Sequence, residues 1–313
     1  MSQVDLHRGA GVSPAHPNPV QAAHLHHEDW HDCRFLTCSV LPVRVACNLR
    51  CPFCFSKSSI SALAHDRGDW RRLDVAEYYR WAKVHGATRL VITGGGEPLL
   101  RPDDVAYLIE LGAGYFAEIA CFTNGTFLTR DLAQRLKDAG LSYLCYSRHH
   151  YDDKKNRALM GEAAPRLSDF VESARSLKIR ATCVMSRDWI SNVAAVSQYI
   201  DALKPFGVRE FTFKHTYVAY EHSVFQGSPE NDWAGEHRIE FDPFEGQGEI
   251  VAGLPWGPVI RRLEGVQVCY YREPTPSWEL ENRLCRSSNL LSDGSVYASL
   301  EDQRSLLYRL TSS

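Results

Sequence analysis

VRVACNLRCPFCF, residues 43–55, runs from a short alternating apolar stretch into three cysteines, Cys47, Cys51 and Cys54. The alternation predicts a strand over Val43–Ala46, with the cysteines on the loop that leaves its C-terminal end. Three thiolates spaced C-x3-C-x2-C can each take one iron of a cubane, leaving the fourth iron open to an exogenous ligand. A tetrahedral zinc site would ask for a fourth Cys or His at finger-like spacing, and none follows within ten residues. The triplet alone favours iron–sulfur ligation, with zinc or structural cysteines as its rivals.

Moving outward, Arg89–Thr93 reads as a second strand that runs into Gly94-Gly95-Gly96-Glu97-Pro98. Successive glycines let a backbone approach a ligand closely. A third strand, Glu118–Phe122, ends in Thr123-Asn124-Gly125, and further strands are expected at Tyr143–Tyr146, Ile179–Met185 and Glu210–Phe213. Helical patterns separate them over Leu73–His85, Asp103–Leu111, Asp131–Ala139, Ser168–Leu177 and Val193–Leu203, with Thr129 a plausible N-cap. Six strands joined by crossovers predict an α/β parallel sheet, curled into a barrel or open and doubly wound. Polar groups at three consecutive strand ends place a site on the C-terminal face of that sheet.

The flanks differ in character. Residues 1–40 read as an N-terminal arm holding His7, His16, His24, His26, His27 and His31, with no ligand-like spacing. Residues 41–215 form the barrel core, and 216–313, rich in Gly, Pro, Trp and Tyr, form a C-terminal cap with a hairpin near Asp293-Gly294. Ten cysteines in 313 residues, only three of them clustered, do not make a disulfide scaffold. A net charge of -3 offers no nucleic-acid footprint. No apolar run approaches a membrane span, and no secretory signal is visible, so a soluble cytoplasmic protein is expected.

CNLRCPFC, then TGGGEPLL, then FTNGT resembles, in this order, the radical S-adenosylmethionine (SAM) superfamily over roughly residues 40–215. The resemblance implies a partial (β/α)6 TIM barrel. It implies a [4Fe-4S] cluster on Cys47, Cys51 and Cys54, and SAM on the open iron. Carried over by position, Gly95, Gly96 and Glu97 contact the SAM amino group, Phe53 abuts the adenine, and Asn124 sits at the third strand end. Ser147, Ser186 and Arg187 stand where relatives bind ribose or carboxylate. The implied chemistry takes one electron from a flavodoxin- or ferredoxin-type reductant, cleaves SAM to a 5′-deoxyadenosyl radical, and abstracts hydrogen from substrate.

Ser147-Arg148-His149-His150 departs from the Ser-(Leu/Cys)-Asp of many relatives, making His149 and His150 candidates for substrate contact or proton transfer. Lys214, before His215 at the sixth strand end, is a candidate for anion binding or proton handling. The C-terminus has the outline of a SPASM/Twitch element in Cys285 and Gly294, but Ser299 stands at its later cysteine position, so a single cluster is expected. Cys269 and Cys285 are then candidate hydrogen-atom donors, or simply small buried hydrophobes. A small polar metabolite (a nucleoside, sugar or amino-acid derivative, as in natural-product biosynthesis) is the preferred substrate. Modification of a ribosomally made peptide and a non-catalytic iron–sulfur or zinc protein are the alternatives.

Overall fold

The computed structural model describes residues 27–63, 69–220 and 223–310. His7, His16, His24 and His26 of the expected arm lie outside them. The arm is shorter than residues 1–40, because Arg34–Leu41 (RFLTCSVL) is a strand, β1, near the middle of the sheet. Its Phe35, Cys38 and Val40 are fully buried, and its polar Thr37 and Ser39 had hidden it among arm residues. The expected strand at Val43–Ala46 is instead irregular chain. Pro42 has no N–H to extend a ladder, so the strand ends before it.

Five further strands follow the expected order: β2 (Arg89–Ile92), β3 (Ile119–Thr123), β4 (Tyr143–Ser147), β5 (Lys178–Met185) and β6 (Glu210–His215). Each pairs in parallel with its predecessor. The intervening helices are α1 (Val75–Val84), α2 (Pro102–Ala113), α3 (Arg130–Asp138), α4 (Asp153–Met160), α5 (Leu167–Ala174) and α6 (Val193–Leu203). Side chains cap several of them: Asp74 Oδ1 accepts from Glu77 N, and Thr129 Oγ1 from Leu132 N. On the sheet's outer face Val40, Ile92, Cys121, Leu144, Cys183 and Phe213 join these helices in one core. On the inner face Ser39, Val91, Phe122, Cys145, Thr182 and Thr212 line a cavity. Burial on both faces explains why the strands read as near-continuous apolar runs.

The C-terminal hundred residues do more than cap the barrel. The sheet runs on to β7 (Glu249–Gly253), β8 (Val259–Leu263), β9 (Val266–Tyr270), β10 (Leu284–Leu291), β11 (Ser295–Tyr297) and β12 (Leu306–Arg309), with α7 (Pro229–Glu236) and α8 (Pro276–Glu281) between them. Strand β9 pairs in parallel with β6 and β10 in parallel with β1, so eight parallel strands run β10-β1-β2-β3-β4-β5-β6-β9. Antiparallel β8-β7 and β11-β12 extend the two ends, and the hairpin near Asp293-Gly294 is the β10–β11 turn. The architecture is α/β, a partial barrel left open between β9 and β10.

Charged side chains cross that opening. Glu273, just beyond β9, pairs with Arg286 on β10 and lies 3.4 Å from Lys214 on β6. The Arg286 backbone N–H donates to Glu279 of α8 at 2.7 Å. At the neighbouring edge, Tyr78 of α1 donates its buried hydroxyl to Ser39 O at 2.9 Å and lies 3.0 Å from Ser288 Oγ. Tyr78→Phe removes this buried link between β1 and β10 and should cost roughly 1–3 kcal/mol, read as a lower urea midpoint at unchanged m-value.

Candidate active site

After Pro42 the chain folds over the loop that leaves β2. The contact is backbone on backbone: a Cβ on Gly95 would stand 2.0 Å from Val43 O, and one on Gly96 1.9 Å from Ala46 O. Gly95 also has φ +97°, where side chains are strained. Glu97 N donates to Ala46 O at 2.9 Å, stapling the two loops together.

The Glu97 carboxylate, almost wholly buried, then organises the strand ends. Oε1 accepts from Thr123 Oγ1 at 2.7 Å and Leu99 N at 3.0 Å, and Oε2 accepts from Asn124 N at 2.7 Å. Burial pushes the carboxyl up, while these three donors pull it back toward ionisation. Its oxygens are committed to the protein, so Glu97 shapes the pocket through the loop it holds. Asn124 extends the chain of contacts, its Nδ2 reaching Asn48 Oδ1 at 3.1 Å and Cys47 Sγ at 3.7 Å.

The cysteine loop fits a cluster. Cys47 Sγ receives both Asn124 Nδ2 and, at 3.4 Å, the Leu49 N–H. Burial, followed by the neighbouring Cys54 and Cys47, pushes the Cys51 thiol up to about 12. Crowded, partly buried thiols of this kind are costly as free thiolates and are relieved by binding metal. Among the described residues no three His, Cys, Asp or Glu side chains converge on a single ion. Three thiols on one short loop suit a cubane, which takes each ligand on a separate iron.

Around this loop the structure brings several expected residues together. The Phe53 ring meets His149 edge-on at 4.9 Å and Trp233 of α7 at 5.6 Å. His149 Nδ1 accepts from Val184 N at 3.0 Å, which fixes the neutral ring with its proton on Nε2. Burial, then the Lys214 and Arg148 charges, hold His149 down to about 3. His150 is likewise committed, Nδ1 accepting from Asp152 N at 2.9 Å, with burial holding it at about 4. Both histidines stay neutral near pH 7, which suits fixed hydrogen-bonding better than proton shuttling.

Ser147 ends β4, half-buried, and Ser186 follows β5 fully buried with no hydrogen bond at Oγ among the described residues. Arg187 is exposed. Lys214 and Cys269 both line the interior cavity. Cys285 does not: it sits in the outer core beside Cys33, whose thiol, together with burial, pushes it up. That position removes Cys285 as a hydrogen-atom donor to anything in the cavity. At the degenerate SPASM-like position, Ser299 N donates to Ser305 Oγ at 3.0 Å, and the Ser305 hydroxyl reaches the carbonyls of Ser299 and Asp302. Hydroxyls staple this turn where the outline would place a cluster ligand.

Some functional residues escaped sequence reasoning. Arg148 is buried with its guanidinium on Asp153 Oδ1 at 2.6 Å and Tyr151 O at 2.9 Å. Asn156 Oδ1 accepts from His149 N and His150 N, holding the unusual SRHH turn from α4. Glu273 reaches the cavity from a segment with no motif, and Arg286 from the position beside Cys285, where the SPASM-like outline draws attention to the cysteine instead.

A thiol loop pinned over a glycine loop, at the C-terminal face of a partial barrel, defines a protein that holds a metallocluster and a small ligand side by side. Residues 41–186 match the family description "Radical SAM superfamily". The GTP 3′,8-cyclase of Aquifex aeolicus is 34% identical over 119 residues, 37% of this chain and 36% of the relative. That of Moorella thermoacetica is 41% identical over 97 residues, 30% of this chain and 29% of the relative. The chain thus spans about a third of the length of these curated relatives. Streptococcus suis SuiB bound to S-adenosylmethionine superposes with a TM-score of 0.54 at 16% identity, over 86% of this chain and 62% of SuiB. SuiB bound to its precursor peptide SuiA gives 0.53 at 15% identity, over 98% and 70%. The radical SAM match thus lies on residues 41–186, the stretch that carries the cysteine and glycine loops. Proteins of this superfamily use a [4Fe-4S] cluster and SAM, and the donor set found here fits both.

Two outcomes test this geometry. Gly96→Ala drives a Cβ into a backbone carbonyl, whereas a Cβ on Gly94 would meet only the movable Ser56 hydroxyl at 3.0 Å. Iron bound after anaerobic reconstitution should fall sharply in Gly96→Ala and stay near wild type in Gly94→Ala. The second concerns pH. His149 at about 3, and His150 and His215 at about 4, lie below the ordinary 6.5. The unfolded chain therefore binds more protons, and stability is lost as pH falls from about 6.5 toward 4. His149→Asn, whose Oδ1 can accept from Val184 N, should flatten the fall in urea midpoint between pH 7 and 5.

Proposed function

We propose that this protein is a radical SAM enzyme that reductively cleaves SAM and abstracts hydrogen from a small polar metabolite. The observation that carries the reading is the 43–46 backbone seated on Gly95 and Gly96, leading directly into the Cys47–Cys54 loop, beside a cavity of about 340 Å³ inside the barrel. When bound and reduced, the cluster with SAM supplies a 5′-deoxyadenosyl radical able to take hydrogen from an unactivated C–H bond. Cys47, Cys51 and Cys54 would hold the cluster, and the Gly95–Gly96 backbone, Phe53, Ser147 and Ser186 would surround SAM. His149 presents a fixed Nε2 donor beside Phe53, and Asn124 donates to Cys47 and sets its sulfur.

The cavity volume falls in the range of small-molecule sites. A nucleoside, sugar or amino-acid derivative fits that space, with the electron supplied by a flavodoxin- or ferredoxin-type reductant. A peptide substrate is the second reading, favoured by the likeness to SuiB bound to SuiA over 98% of the chain.

Anaerobically reconstituted protein given SAM and dithionite should release 5′-deoxyadenosine, and Cys51→Ala should reduce release to background while lowering bound iron. Unchanged iron and release in Cys51→Ala would overturn the reading, as would zinc as the sole metal of anaerobically purified protein.

A further inference from the structure

The cavity inside the barrel is built in three layers. Its floor is a satisfied ionic network: Arg180 donates twice to Glu210 Oε2, at 3.0 and 2.8 Å, and once to the Tyr143 hydroxyl, at 3.2 Å. Tyr143 in turn donates to Glu118 at 2.9 Å. These groups need no ligand.

The middle layer is different. Ser39, Thr182 and Thr212 come from three strands, line the cavity, and make no hydrogen bond through their hydroxyls to any described residue. Ser39 and Thr182 are each only 5% exposed. Thr182 and the half-buried Thr212 stand side by side on β5 and β6, and Ser39 faces the cavity from β1, with three strands between, so unpartnered hydroxyls meet the space from two sides.

The upper layer holds two cations around one carboxylate. Glu273 pairs with Arg286, and Lys214 Nζ stands 3.4 Å from its other oxygen, longer than the 2.7–2.9 Å of a good charge-assisted bond. The Tyr271 ring flanks Lys214 with its centroid 5.3 Å from Nζ. Glu301 lies close enough to feel the Arg286 charge and is also held by the Tyr217 hydroxyl, while Glu279 accepts from the Arg286 N–H, so neither of these acids pairs with Lys214. Burial, then the Arg286 charge, hold the Lys214 amine down to about 8, which marks a cation short of compensation.

We propose that the barrel interior binds a small hydroxylated molecule bearing one anionic group, carboxylate or phosphate. That group sits on Lys214 and Arg286, while the body of the molecule meets the hydroxyls of Ser39, Thr182 and Thr212. The anion completes the coordination of Lys214 that Glu273 leaves loose. This assignment rests on the reading of the cavity as the enzyme's substrate site and narrows the substrate to an acidic, hydroxyl-rich class.

The test separates binding from catalysis. Calorimetric titration of the anaerobically reconstituted protein with SAM uses three probes: gluconate, ribose 5-phosphate and neutral sorbitol. Saturable binding of gluconate or of ribose 5-phosphate, with none by sorbitol, is expected, and whichever binds names the anion. Lys214→Met should weaken that binding roughly tenfold or more, and Thr182→Val, which keeps the side-chain shape, about three- to tenfold. No binding by either anion, equal binding by sorbitol, or affinities unchanged in both variants overturns the assignment. Release of 5′-deoxyadenosine is scored separately. Its absence beside intact anion binding fails the enzymatic reading alone, and its presence without anion binding fails this one.

Discussion

The site depends on one crowded contact, that of the 43–46 backbone lying directly on Gly95 and Gly96. No side chain can stand between the two loops, because a Cβ on either glycine would sit about 2 Å from a carbonyl oxygen. Glu97 turns this contact into a framework, joining Ala46, Leu99, Thr123 and Asn124 through one peptide N–H and one carboxylate. Asn124 passes the framework on to Cys47. Position of the first cysteine is thereby set from the ends of β2 and β3 and not from its own loop alone.

Glu97 also shows how one buried carboxylate can organise the ends of two strands through protein donors alone. A buried carboxylate is expensive unless its lone pairs are filled, and here three donors fill them. The same economy governs His149, whose Nδ1 is occupied by a strand N–H and whose ring stays neutral. Both groups are fixed by strand and loop N–H donors and form rigid parts of the wall.

The barrel's opening between β9 and β10 supplies the other half of the site. Closure there relies on Lys214, Glu273 and Arg286 in place of a strand ladder, so the charges that hold the opening also face the cavity. The ion pairing that spans the opening and the charged lining of the cavity thus come from the same three side chains.

Much of this was legible in the chain. The cysteine spacing, the glycine run and TNG at 123–125 sit within a few residues of strands whose burial on both faces makes them plain apolar runs, and that local pattern identified the superfamily. Strand β1 was not legible, because Thr37 and Ser39 face the cavity and break its apolar character, and the Val43–Ala46 alternation next door imitated a strand that Pro42 forbids. Nor could spacing show that β9 and β10 join the parallel sheet, since their partners lie far away in sequence. The separation of Cys269 from Cys285, one in the cavity and one in the core, follows only from which face of which strand each occupies. Local chemistry is written in neighbouring residues; the meeting of Lys214, Glu273 and Arg286 across an open barrel is a product of long-range pairing, which only the tertiary structure decides.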